Sequence, residues 1–590
     1  MIRNIIKYTF TKRSISNAPI SLSYVHGISS KPLSYITIGE KLREQAYKNS
    51  DQVALISHLQ KKQFTYSELY RTCEKVAASL LSLGLKKGDR IGIYSPNNYE
   101  WVITQYAASM ADLILVNINP AYQEHELEYC LKKVGVKAIV MASHHRKSDY
   151  VKFINNIVPE LQQTSDIGKL KSAKLPNLKF VIRIDDEKTP GMMNFRSLYE
   201  LAGSKDYQKL HTTMRITEPD DATNIQFTSG TTGNPKGATL THFNILNNGY
   251  ILGQRLGLVS SDKICLSVPL YHCFGMVMGN LAALNYASTI VLPSEGFNPQ
   301  HSMQSVGEYK ITTMYGVPTM FYEYIKEYEH NPQLYNISTL RKGIMAGALC
   351  PQSLMSKLIN EWGMTDLQIA YGMTETSPIS FQTESSDNLE DKCGTVGKIY
   401  PHTEAKIINS KGKILERGIS GELCIRGYPV MQKYWADIKN TNKTIDTNGW
   451  LKTGDVAVMD ERGYVKIVGR IKEMIIRGGE NIYPKEIEEF LRTHPSIMDV
   501  QVVGIPNQKF GEETFALIRL KPNQEVKPQE IAEFCKGQIA HYKLPKYVKF
   551  VDSFPLTITG KPQKFKMVAS IKEEMNGNEQ NLEKYQIRSY

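Results

Sequence analysis

The sequence predicts an α/β fold in two parts, a large N-terminal domain with mostly parallel sheets and a small α+β C-terminal domain. A chain of 590 residues is too long for a single hydrophobic core, so at least two domains are expected. From about 36 to 470, short β-branched runs alternate with helical patterns, which is typical of crossover connections between parallel strands. The pattern changes near Gly469, which places the boundary between the two domains at about residue 470.

The alternation is clear early in the large domain. Residues 89–94 and 113–117 are predicted strands, and residues 100–111 between them place apolar side chains at a helical period. Strand, helix and strand in this order form one crossover unit. Because the same alternation continues, we expect the large domain to span 36–470.

The small domain has a different order of elements, and we expect it to span 471–575, followed by a polar tail at 576–590. Pro484 stands near the start of its first helix, a position where proline is tolerated. The predicted elements are strands at 474–476, 499–504 and 515–520 and helices at 484–491 and about 528–538.

The first 39 residues differ in charge from the rest of the chain. They contain five basic residues and no acidic residue, in a chain whose formal net charge is +12. Ile2, Ile5, Ile6 and Phe10 recur near helical spacing beside these cations. A basic, amphipathic, acid-free start is typical of a mitochondrial transit peptide, which predicts a matrix protein with residues 1–35 as its targeting segment. A disordered basic tail is the alternative.

Two other features exclude whole classes of protein. The uncharged stretch 264–294 is long enough to cross a bilayer, but Pro269 and His272 within it suit a buried loop, helix and strand better. The eight cysteines are scattered, without a CxxC pair or a Cys/His cluster at zinc spacing. We therefore expect no transmembrane segment, no disulfide framework and no structural metal.

A loop rich in glycine and hydroxyl residues, IQFTSGTTGNPKG at 225–237, carries the strongest chemical signal. Glycines let backbone N–H groups form a concave nest, hydroxyls add donors and lysine supplies a mobile positive charge, which together suit phosphate oxygens. A predicted strand at 224–227 precedes the loop, so the loop leaves the end of a strand where α/β proteins bind ligands. The predicted phosphate-binding residues are Thr228, Ser229, Gly230, Thr231, Thr232, Gly233, Asn234, Pro235 and Lys236.

Two rival interpretations of this loop fail. A Walker A loop ends in Gly-Lys-Ser/Thr at the start of a helix, whereas Lys236 follows Pro235 and precedes Gly237. A flexible surface loop does not need eight specified residues in ten positions. That coincidence has a probability of roughly one in ten million at average residue usage.

The loop resembles the AMP-binding signature of the adenylate-forming superfamily, which includes acyl-CoA synthetases, luciferases and peptide-synthetase adenylation domains. Four further motifs follow in the superfamily's order, so the resemblance covers about 40 to 570. It implies the adenylate-forming enzyme fold, in which the small C-terminal domain is mobile. The motifs are YGMTE at 371–375, TGD at 453–455, GRIKE at 469–473 and TGK at 559–561.

The resemblance implies a reaction in two halves. A carboxylate attacks the α-phosphate of ATP and forms an acyl-adenylate, and the thiolate of coenzyme A then displaces AMP. ATP, Mg²⁺ and coenzyme A are the implied cofactors and substrates. The implied partners are small molecules only, with no nucleic acid.

Four residues of these motifs are implied to act at the reacting phosphates or beside them. Lys561 resembles the lysine that bridges the substrate carboxylate and the α-phosphate. Glu375 resembles the Mg²⁺ ligand, and a hard cation prefers such carboxylate oxygens. Thr374 would contact the α-phosphate, and Tyr371 would lie against the adenine. By itself, TGK at 559–561 would be a turn with a solvated lysine.

The remaining implied contacts are to the nucleotide and the pantetheine. Asp455 resembles the carboxylate that accepts hydrogen bonds from the ribose hydroxyls, and Arg470 would reach the ribose or a phosphate. Gly347 and Ala348 match a segment that frames the adenine, although a packing turn explains such small residues equally well. Gly479 would lie near the pantetheine in the second half-reaction.

Two positions depart from the superfamily pattern. Lys472 occupies the pivot between the domains, where many acyl-CoA synthetases have aspartate, and another branch has lysine. Pro562 follows the implied catalytic lysine, where an aliphatic residue is common, and its ring restricts φ there. We have no functional account of Pro562.

The acyl pocket is predicted to lie at 271–276 and 315–318. His272 matches a position that lines the acyl site in relatives, although a buried core histidine is an equal alternative. Small residues in the following helical pattern, Gly275 and Gly279 among them, are expected to leave a tunnel for an alkyl chain.

The stretches at 117–122 and 474–484, together with the basic start, look like the mitochondrial acyl-CoA synthetase family member 2 group, which implies activation of a medium-chain fatty acid. A ligase for an aromatic or branched acid and a luciferase-like adenylating enzyme are alternatives. A peptide-synthetase unit would need a carrier domain, for which the 29 residues after the lysine motif leave no room. Intact motifs argue against an inactive nucleotide-binding protein.

Overall fold

The computed structural model of the chain describes residues 22–164, 168–228, 235–347, 350–477, 480–507, 509–536, 538–539, 543–556, 561–576 and 579–587. Within these residues the large domain is built mainly on three sheets, and the small domain is built on a fourth. The two-part α/β architecture predicted from the sequence is confirmed.

An eight-stranded sheet carries the predicted phosphate loop. The strands run parallel as far as Ala222–Thr228, and the two beyond it are antiparallel. The predicted strands at 89–94 and 113–117 are confirmed to within one residue at each end. In spatial order the strands are Met193–Asn194, Phe180–Arg183, Ala138–Met141, Arg90–Tyr94, Ile114–Ile118, Ala222–Thr228, Lys236–Thr241 and Lys433–Tyr434.

A nine-stranded sheet carries the YGMTE motif at the end of one of its strands, Asp366–Gly372. Its central strands are parallel, and the strands at its two edges are antiparallel to their neighbours. In spatial order they are Lys398–Ile399, Ile379–Gln382, Asp366–Gly372, Lys342–Ala346, Thr313–Gly316, Lys263–Cys265, Thr289–Leu292, Val53–Ser57 and Lys62–Thr65.

Helices cover these sheets, and the helix Tyr99–Met110 is buried over nearly its whole length. A helix that is buried on all sides loses its polar face, which is why its apolar residues extend around the whole circumference. The other α-helices of the large domain are Ile38–Lys48, Tyr66–Ser82, Glu124–Val134, Tyr150–Ile157, Ser204–Ile216, His242–Arg255, Ala282–Tyr286, Pro299–Tyr309, Pro318–His330, Gln352–Asn360, Leu389–Gly394 and Ile438–Thr444.

Capping residues explain where the first two helices begin. Thr37 accepts a hydrogen bond from the backbone of Glu40, whose side chain accepts one from the backbone of Thr37. Thr65 and Glu68 make the same reciprocal pair at the start of Tyr66–Ser82. Each pair satisfies two N–H groups that have no partner within the helix.

The third sheet of the large domain is five-stranded and antiparallel. Its first strand, Tyr24–His26, pairs with Thr403–Ile408, far along the chain. In spatial order the strands are Tyr24–His26, Thr403–Ile408, Gly421–Gly427, Leu451–Met459 and Val465–Arg470.

Residues 22–35 belong to this folded structure, although the sequence pattern places the end of the transit peptide at residue 35. The backbone N–H of Ser23 donates to Leu415 at 2.7 Å. A β-carbon on Gly27 would lie 1.9 Å from the carbonyl oxygen of Tyr400, so only glycine fits there. The predicted boundary therefore lies inside a folded segment.

The small domain packs helices on its own sheet. The predicted helix at 484–491 is confirmed as Pro484–Leu491, and the predicted strands form longer elements, Ile497–Asn507 and Gly511–Leu520. The other strands are Ile475–Arg477, Glu480–Ile482 and Tyr547–Phe550, and the other α-helices are Pro528–Cys535 and Lys564–Met575. No helix in the described part of the chain combines the length and the apolar character needed to cross a bilayer.

Candidate active site

The two ends of the phosphate loop are held together by backbone pairing. Thr228 ends one strand and Lys236 begins the next, and the two residues are direct partners in the antiparallel register. The carbonyl oxygen of Pro235 accepts a hydrogen bond from the hydroxyl of Tyr129 at 3.1 Å. The predicted phosphate-binding residues between the strands, Ser229, Gly230, Thr231, Thr232, Gly233 and Asn234, lie outside the described residues.

Lys236 is linked to Glu375 through one aromatic side chain. The amine of Lys236 lies 4.3 Å from the centre of the Tyr434 ring, a cation–π contact. The hydroxyl of Tyr434 donates a hydrogen bond to Oε1 of Glu375 at 2.7 Å. The structure therefore brings the loop lysine to the ring of Tyr434 and the predicted Mg²⁺ ligand to its hydroxyl.

Thr374 and Glu375 lie on the turn Thr374–Thr376, just after the strand Asp366–Gly372. Glu375 is only 6% exposed. The Thr374 hydroxyl contacts the thiol of Cys273, which donates a hydrogen bond to Oε1 of Gln226 at 3.1 Å. This places the second motif directly against the strand that leads into the phosphate loop.

Tyr371, Asp455 and Arg470 form the predicted nucleoside contact. The Tyr371 hydroxyl donates to Oδ2 of Asp455 at 2.5 Å, and Nε of Arg470 lies 3.1 Å from Oδ1. Asp455 and Arg470 face each other across two paired strands. Both oxygens of the carboxylate are therefore oriented by fixed neighbours.

Lys561 reaches this group from the small domain. Its ε-carbon lies 3.9 Å from the point that a β-carbon on Gly347 would occupy, and Gly347 has a φ of +83° that favours glycine. Ala348 and Gly479 lie outside the described residues, as do Thr559 and Gly560 of the lysine motif. Pro562 forms an isolated bridge with Leu556.

The charges around Lys561 explain its electrostatics. Burial of the amine lowers the pKa of Lys561, and the guanidinium of Arg470 lowers it further. The carboxylates of Asp455 and Glu375 oppose both effects. Two cationic and two anionic side chains, Lys561, Arg470, Asp455 and Glu375, thus lie close enough to interact electrostatically.

The side chain of His272 lies near Lys561 and is a neutral hydrogen-bond donor. Burial and, as the smaller cause, the charge of Lys561 together lower the pKa of His272 to about 3. Its Nδ1 accepts a hydrogen bond from the backbone of Phe274 at 3.1 Å, which assigns the proton to Nε2. The imidazole can therefore donate a hydrogen bond at neutral pH without carrying charge.

The prediction that Gly275 and Gly279 leave space for an alkyl chain is wrong, because neighbouring atoms fill the space beside both glycines. A β-carbon on Gly275 would lie 2.3 Å from the carbonyl oxygen of Pro269, and one on Gly279 would lie 2.3 Å from Leu266. Residues Phe274–Leu281 form a π-helix. The i→i+5 hydrogen bonds of a π-helix change which residues share one face of the helix, compared with the 3.6-residue period of an α-helix. Gly275 and Gly279 therefore face neighbouring protein atoms and allow close packing there.

Other predicted pocket residues are brought together. The ring of Phe274 stacks on that of Tyr315 at 6.1 Å between centres. Tyr315 and the nearby Tyr271 each have a buried hydroxyl without a hydrogen-bond partner in the described structure. Val317 lies 3.3 Å from the β-carbon position of Gly347, which connects this region to Lys561.

The small domain is held against the large domain beside the pivot. The amine of Lys485 donates to the carbonyl oxygen of Ile467 at 2.6 Å. Tyr483 packs on Gly469, where an added β-carbon would lie 3.2 Å from the ring. Lys472 lies in the short turn Ile471–Glu473 between these two contacts.

The carboxylate chemistry fits Mg²⁺ that arrives with ATP. Mg²⁺ is held by one or two carboxylates together with substrate phosphates and water. Glu375 supplies one carboxylate, and only its Oε1 is engaged by Tyr434. Among the described residues, no group of three or more histidine, cysteine, aspartate or glutamate side chains forms a protein-only metal cage.

Tyr434 and Gln226 contact the predicted site residues, although the sequence pattern assigned neither of them a role. Cys273 lies within the predicted acyl pocket. Tyr434 is separated from Glu375 by 59 residues and carries no motif of its own. A buried tyrosine is ordinarily a core residue. For Gln226, the usable signal was its position within the strand that enters the phosphate loop.

Comparisons with known proteins agree with this geometry. Residues 42–435 match the model of the AMP-binding enzyme family, and residues 486–561 match the AMP-binding enzyme C-terminal domain.

Two relatives and one solved structure illustrate the similarity. The chain is 45% identical to the mitochondrial medium-chain acyl-CoA ligase ACSF2 of Danio rerio, over 93% of this chain and 90% of that protein. It is 42% identical to the putative acyl-CoA synthetase YngI of Bacillus subtilis, over 91% and 97%. Among solved structures, the o-succinylbenzoate CoA synthetase of Bacillus subtilis, in complex with its acyl-adenylate intermediate, has a TM-score of 0.73 at 25% identity, over 91% and 98%.

These matches confirm the family resemblance and the fold class predicted from the motifs. They extend over both predicted domains, and the relative from Danio rerio is covered nearly in full. The chain belongs to the AMP-binding enzyme family.

Proposed function

We propose that this chain is an ATP-dependent acyl-CoA ligase that activates a medium-chain fatty acid through an acyl-adenylate, with release of pyrophosphate and AMP. The observation that carries the proposal is the meeting of Lys561 from the small domain with Asp455, Arg470, Glu375 and His272 of the large domain. The high identity to a medium-chain acyl-CoA ligase supports the choice of substrate.

In the first half-reaction, a carboxylate oxygen of the fatty acid attacks the α-phosphorus of ATP. The bond from that phosphorus to the oxygen bridging the β-phosphate breaks, and pyrophosphate leaves. Lys561 places a cation between the two anions, which lowers the free energy of their approach. Thr374 contacts the α-phosphate, and His272 orients the carboxyl group as a neutral donor.

The nucleoside is held by groups that are already fixed. Asp455 accepts hydrogen bonds from the ribose hydroxyls, with Tyr371 and Arg470 keeping its carboxylate in place. Tyr371 also presents its ring to the adenine, and Gly347 and Ala348 frame the base. Such preorganisation removes part of the entropic cost of orienting ATP.

The phosphate loop, from Thr228 to Lys236, holds the β- and γ-phosphates. Glu375 would hold Mg²⁺ through its carboxylate. When it is bound, Mg²⁺ neutralises charge on the phosphate oxygens. The chain's own cation at this end is Lys236, held in place by Tyr434.

In the second half-reaction, the thiolate of coenzyme A attacks the carbonyl carbon of the acyl-adenylate. The bond from that carbon to the phosphate oxygen breaks, and AMP leaves. The small domain turns about Lys472, which withdraws Lys561 and presents Gly479 near the pantetheine.

We place the enzyme in the mitochondrial matrix. The basic, acid-free start of the chain and the mitochondrial relatives support this location. The Bacillus relative, which is 42% identical, shows that the fold also serves in cells without mitochondria. Import of the labelled full chain into isolated mitochondria, with protease protection after rupture of the outer membrane, tests the location; a chain that stays protease-sensitive contradicts it.

The test of the activity is coenzyme-A-dependent release of AMP from the purified chain, beginning at residue 22, with straight-chain fatty acids from acetate to palmitate. A maximum at intermediate length is expected. Release with aromatic or branched acids only would retain the chemistry and overturn the substrate. ATP binding without AMP release from any acid would contradict the proposed enzyme, and light emission with a luciferin would favour the luciferase-like alternative.

A further inference from the structure

Tyr434 stands where two distant parts of the chain meet in the site. It belongs to the short strand Lys433–Tyr434 at the edge of the eight-stranded sheet, where it pairs with Ala238 of the strand that begins at Lys236. Its backbone N–H donates to Oγ1 of Thr441 at 3.0 Å. The backbone position of Tyr434 is therefore fixed by its pairing with the strand that follows the phosphate loop.

The side chain of Tyr434 has two separate contacts. Its hydroxyl donates to Oε1 of Glu375 at 2.7 Å, and its ring faces the amine of Lys236 at 4.3 Å. The first is a hydrogen bond to a charged acceptor, which is about twice as strong as a neutral one. The second attracts the ammonium group to the ring. One buried residue thus contacts both the carboxylate and the cation that the proposed reaction uses at the phosphates.

The segment before Tyr434 strengthens the same link. The backbone N–H of Met431 donates to the carbonyl oxygen of Glu375 at 2.9 Å, and that of Gln432 donates to Thr239 at 2.9 Å. Glu375 is therefore held through both its backbone and its side chain by residues 431–434. These residues are themselves tied to the strand that starts at Lys236.

We propose that Tyr434 is a positioning residue for the adenylation half-reaction, which sets the carboxylate of Glu375 for Mg²⁺ and the amine of Lys236 for the terminal phosphates before ATP binds. This rests on the proposed function for the identity of the reaction. It adds a residue, and a physical link between two site groups, that the motifs do not include.

A tyrosine hydroxyl is protonated at neutral pH, so the hydroxyl of Tyr434 can act as the donor in its hydrogen bond to Glu375. A residue that served packing alone would gain nothing from a hydroxyl here, because a phenylalanine ring fills the same volume.

Tyr434→Phe removes the hydroxyl and retains the ring. By calorimetry, the affinity for ATP in the presence of Mg²⁺ is expected to fall about 10-fold or more, the value of one hydrogen bond to a charged group. Affinity for ATP in EDTA is expected to change little, because the ring contact with Lys236 remains. Tyr434→Leu removes both contacts and is expected to weaken binding under both conditions.

Tyr428→Phe is the matched control. Tyr428 is also a buried tyrosine, its hydroxyl lies 3.4 Å from the side-chain amide of Asn248, and it has no hydrogen bond to Glu375. It should leave Mg²⁺-dependent ATP binding unchanged. Thioester formation from supplied acyl-adenylate and coenzyme A should be normal in Tyr434→Phe, because that half-reaction does not use the ATP-bound Mg²⁺.

A double-mutant cycle separates positioning from general damage. In the background of Glu375→Gln, adding Tyr434→Phe is expected to have a much smaller effect on ATP binding than in the wild-type chain. Equal effects in the two backgrounds, or wild-type Mg²⁺-dependent binding in Tyr434→Phe, would overturn the proposal.

These outcomes are separable from failure of the proposed function. If the wild-type chain forms no acyl-CoA but Tyr434→Phe still weakens Mg²⁺-dependent ATP binding, the reaction assignment falls and the positioning role stands. If acyl-CoA forms normally and the variant binds ATP like the wild type, the positioning role falls alone.

Discussion

The ε-carbon of Lys561 lies 3.9 Å from the point that a β-carbon on Gly347 would occupy, so the small domain reaches the segment of the large one that we propose to frame the adenine. Val317 closes the other side of the same point at 3.3 Å. The φ of Gly347, +83°, is one that other residues adopt only with strain. Glycine is therefore favoured here by the backbone conformation, and an added β-carbon would also make a tight contact with Val317.

Gly347→Ala should lower kcat/KM for ATP in the adenylation half-reaction, on the order of 10-fold, because the added methyl group crowds Val317 and the backbone strain shifts the segment that Lys561 contacts. It should also lower the free energy of unfolding by about 1–2 kcal/mol through backbone strain. Gly412→Ala is the control, because Gly412 has a φ of +78° with no atom within 4 Å of an added β-carbon. Equal losses of activity in the two variants would show that strain alone acts.

Lys561→Ala should slow acyl-adenylate formation by about 10²–10³-fold, the typical loss of one charge-stabilising group. Conversion of supplied acyl-adenylate to acyl-CoA should be largely retained. Pyrophosphate exchange and thioester formation measure the two halves separately. Lys566→Ala, at an exposed position of the helix Lys564–Met575, should leave both unchanged. An equal fall in both halves for Lys561→Ala would contradict its assignment to adenylation alone.

Lys485→Met should slow adenylation several-fold more than thioester formation, because it removes the hydrogen bond from Lys485 to Ile467 that holds the small domain in place. Lys549→Met is a matched control. Lys549 has the same 26% side-chain exposure as Lys485, but its ion pair, with Glu574, lies within the small domain. A similar effect of both variants on the ratio of the two half-reactions would contradict a role at the domain contact.

Stability should fall as pH drops below about 6.5. Burial lowers the pKa of His242 from 6.5 to about 3, and its Nδ1 accepts from the backbone of Ile38. Between these two pH values the unfolded state binds more protons, so the stability contributed by the neutral imidazole is complete above pH 6.5 and declines toward pH 3. At pH 5 the loss from this group is on the order of 2 kcal/mol.

Urea unfolding at pH 5 and pH 7 measures this dependence. His242→Asn keeps an acceptor but removes the titrating group, so the difference in stability between the two pH values should shrink. His125→Asn, at an exposed position, should leave that difference as it is in the wild type. An unchanged pH difference in His242→Asn would contradict the prediction.

A chain that begins at residue 22 should be more stable than one that begins at residue 36. The shorter chain lacks the strand Tyr24–His26 and both hydrogen bonds between Ser34 and Asn247. Its Tm is expected to be lower, on the order of 5 °C, in a thermal scan. Equal Tm values would show that residues 22–35 are dispensable and would favour the boundary at residue 35.

The parts of the site that lie within linear motifs were predictable from the sequence. Tyr371, Asp455 and Arg470 each belong to a short motif, and the structure brings the three side chains together. The crossover unit was predictable for a related reason. Its apolar periods are local, and local patterns largely determine which residues form strands and helices.

Contacts between remote segments were not predictable. Tyr434 meets Glu375 because an edge strand joins the sheet beside the phosphate loop, and a single chain has no local pattern for that pairing. The tunnel was predicted wrongly because the residues Phe274–Leu281 form a π-helix. A π-helix has a different period from an α-helix, so a 3.6-residue period does not predict which residues share a face.

The pairing of Tyr24–His26 with Thr403–Ile408 also constrains the order in which the protein folds. Ser23 and its hydrogen-bond partner Glu416 are 393 residues apart. At synthesis rates of roughly 5–20 residues per second, the first strand waits roughly 20–80 s for its partner to emerge from the ribosome. During that interval the other four strands of the third sheet have not yet been synthesised, so Tyr24–His26 stays without its partner strand until almost the whole large domain has been made.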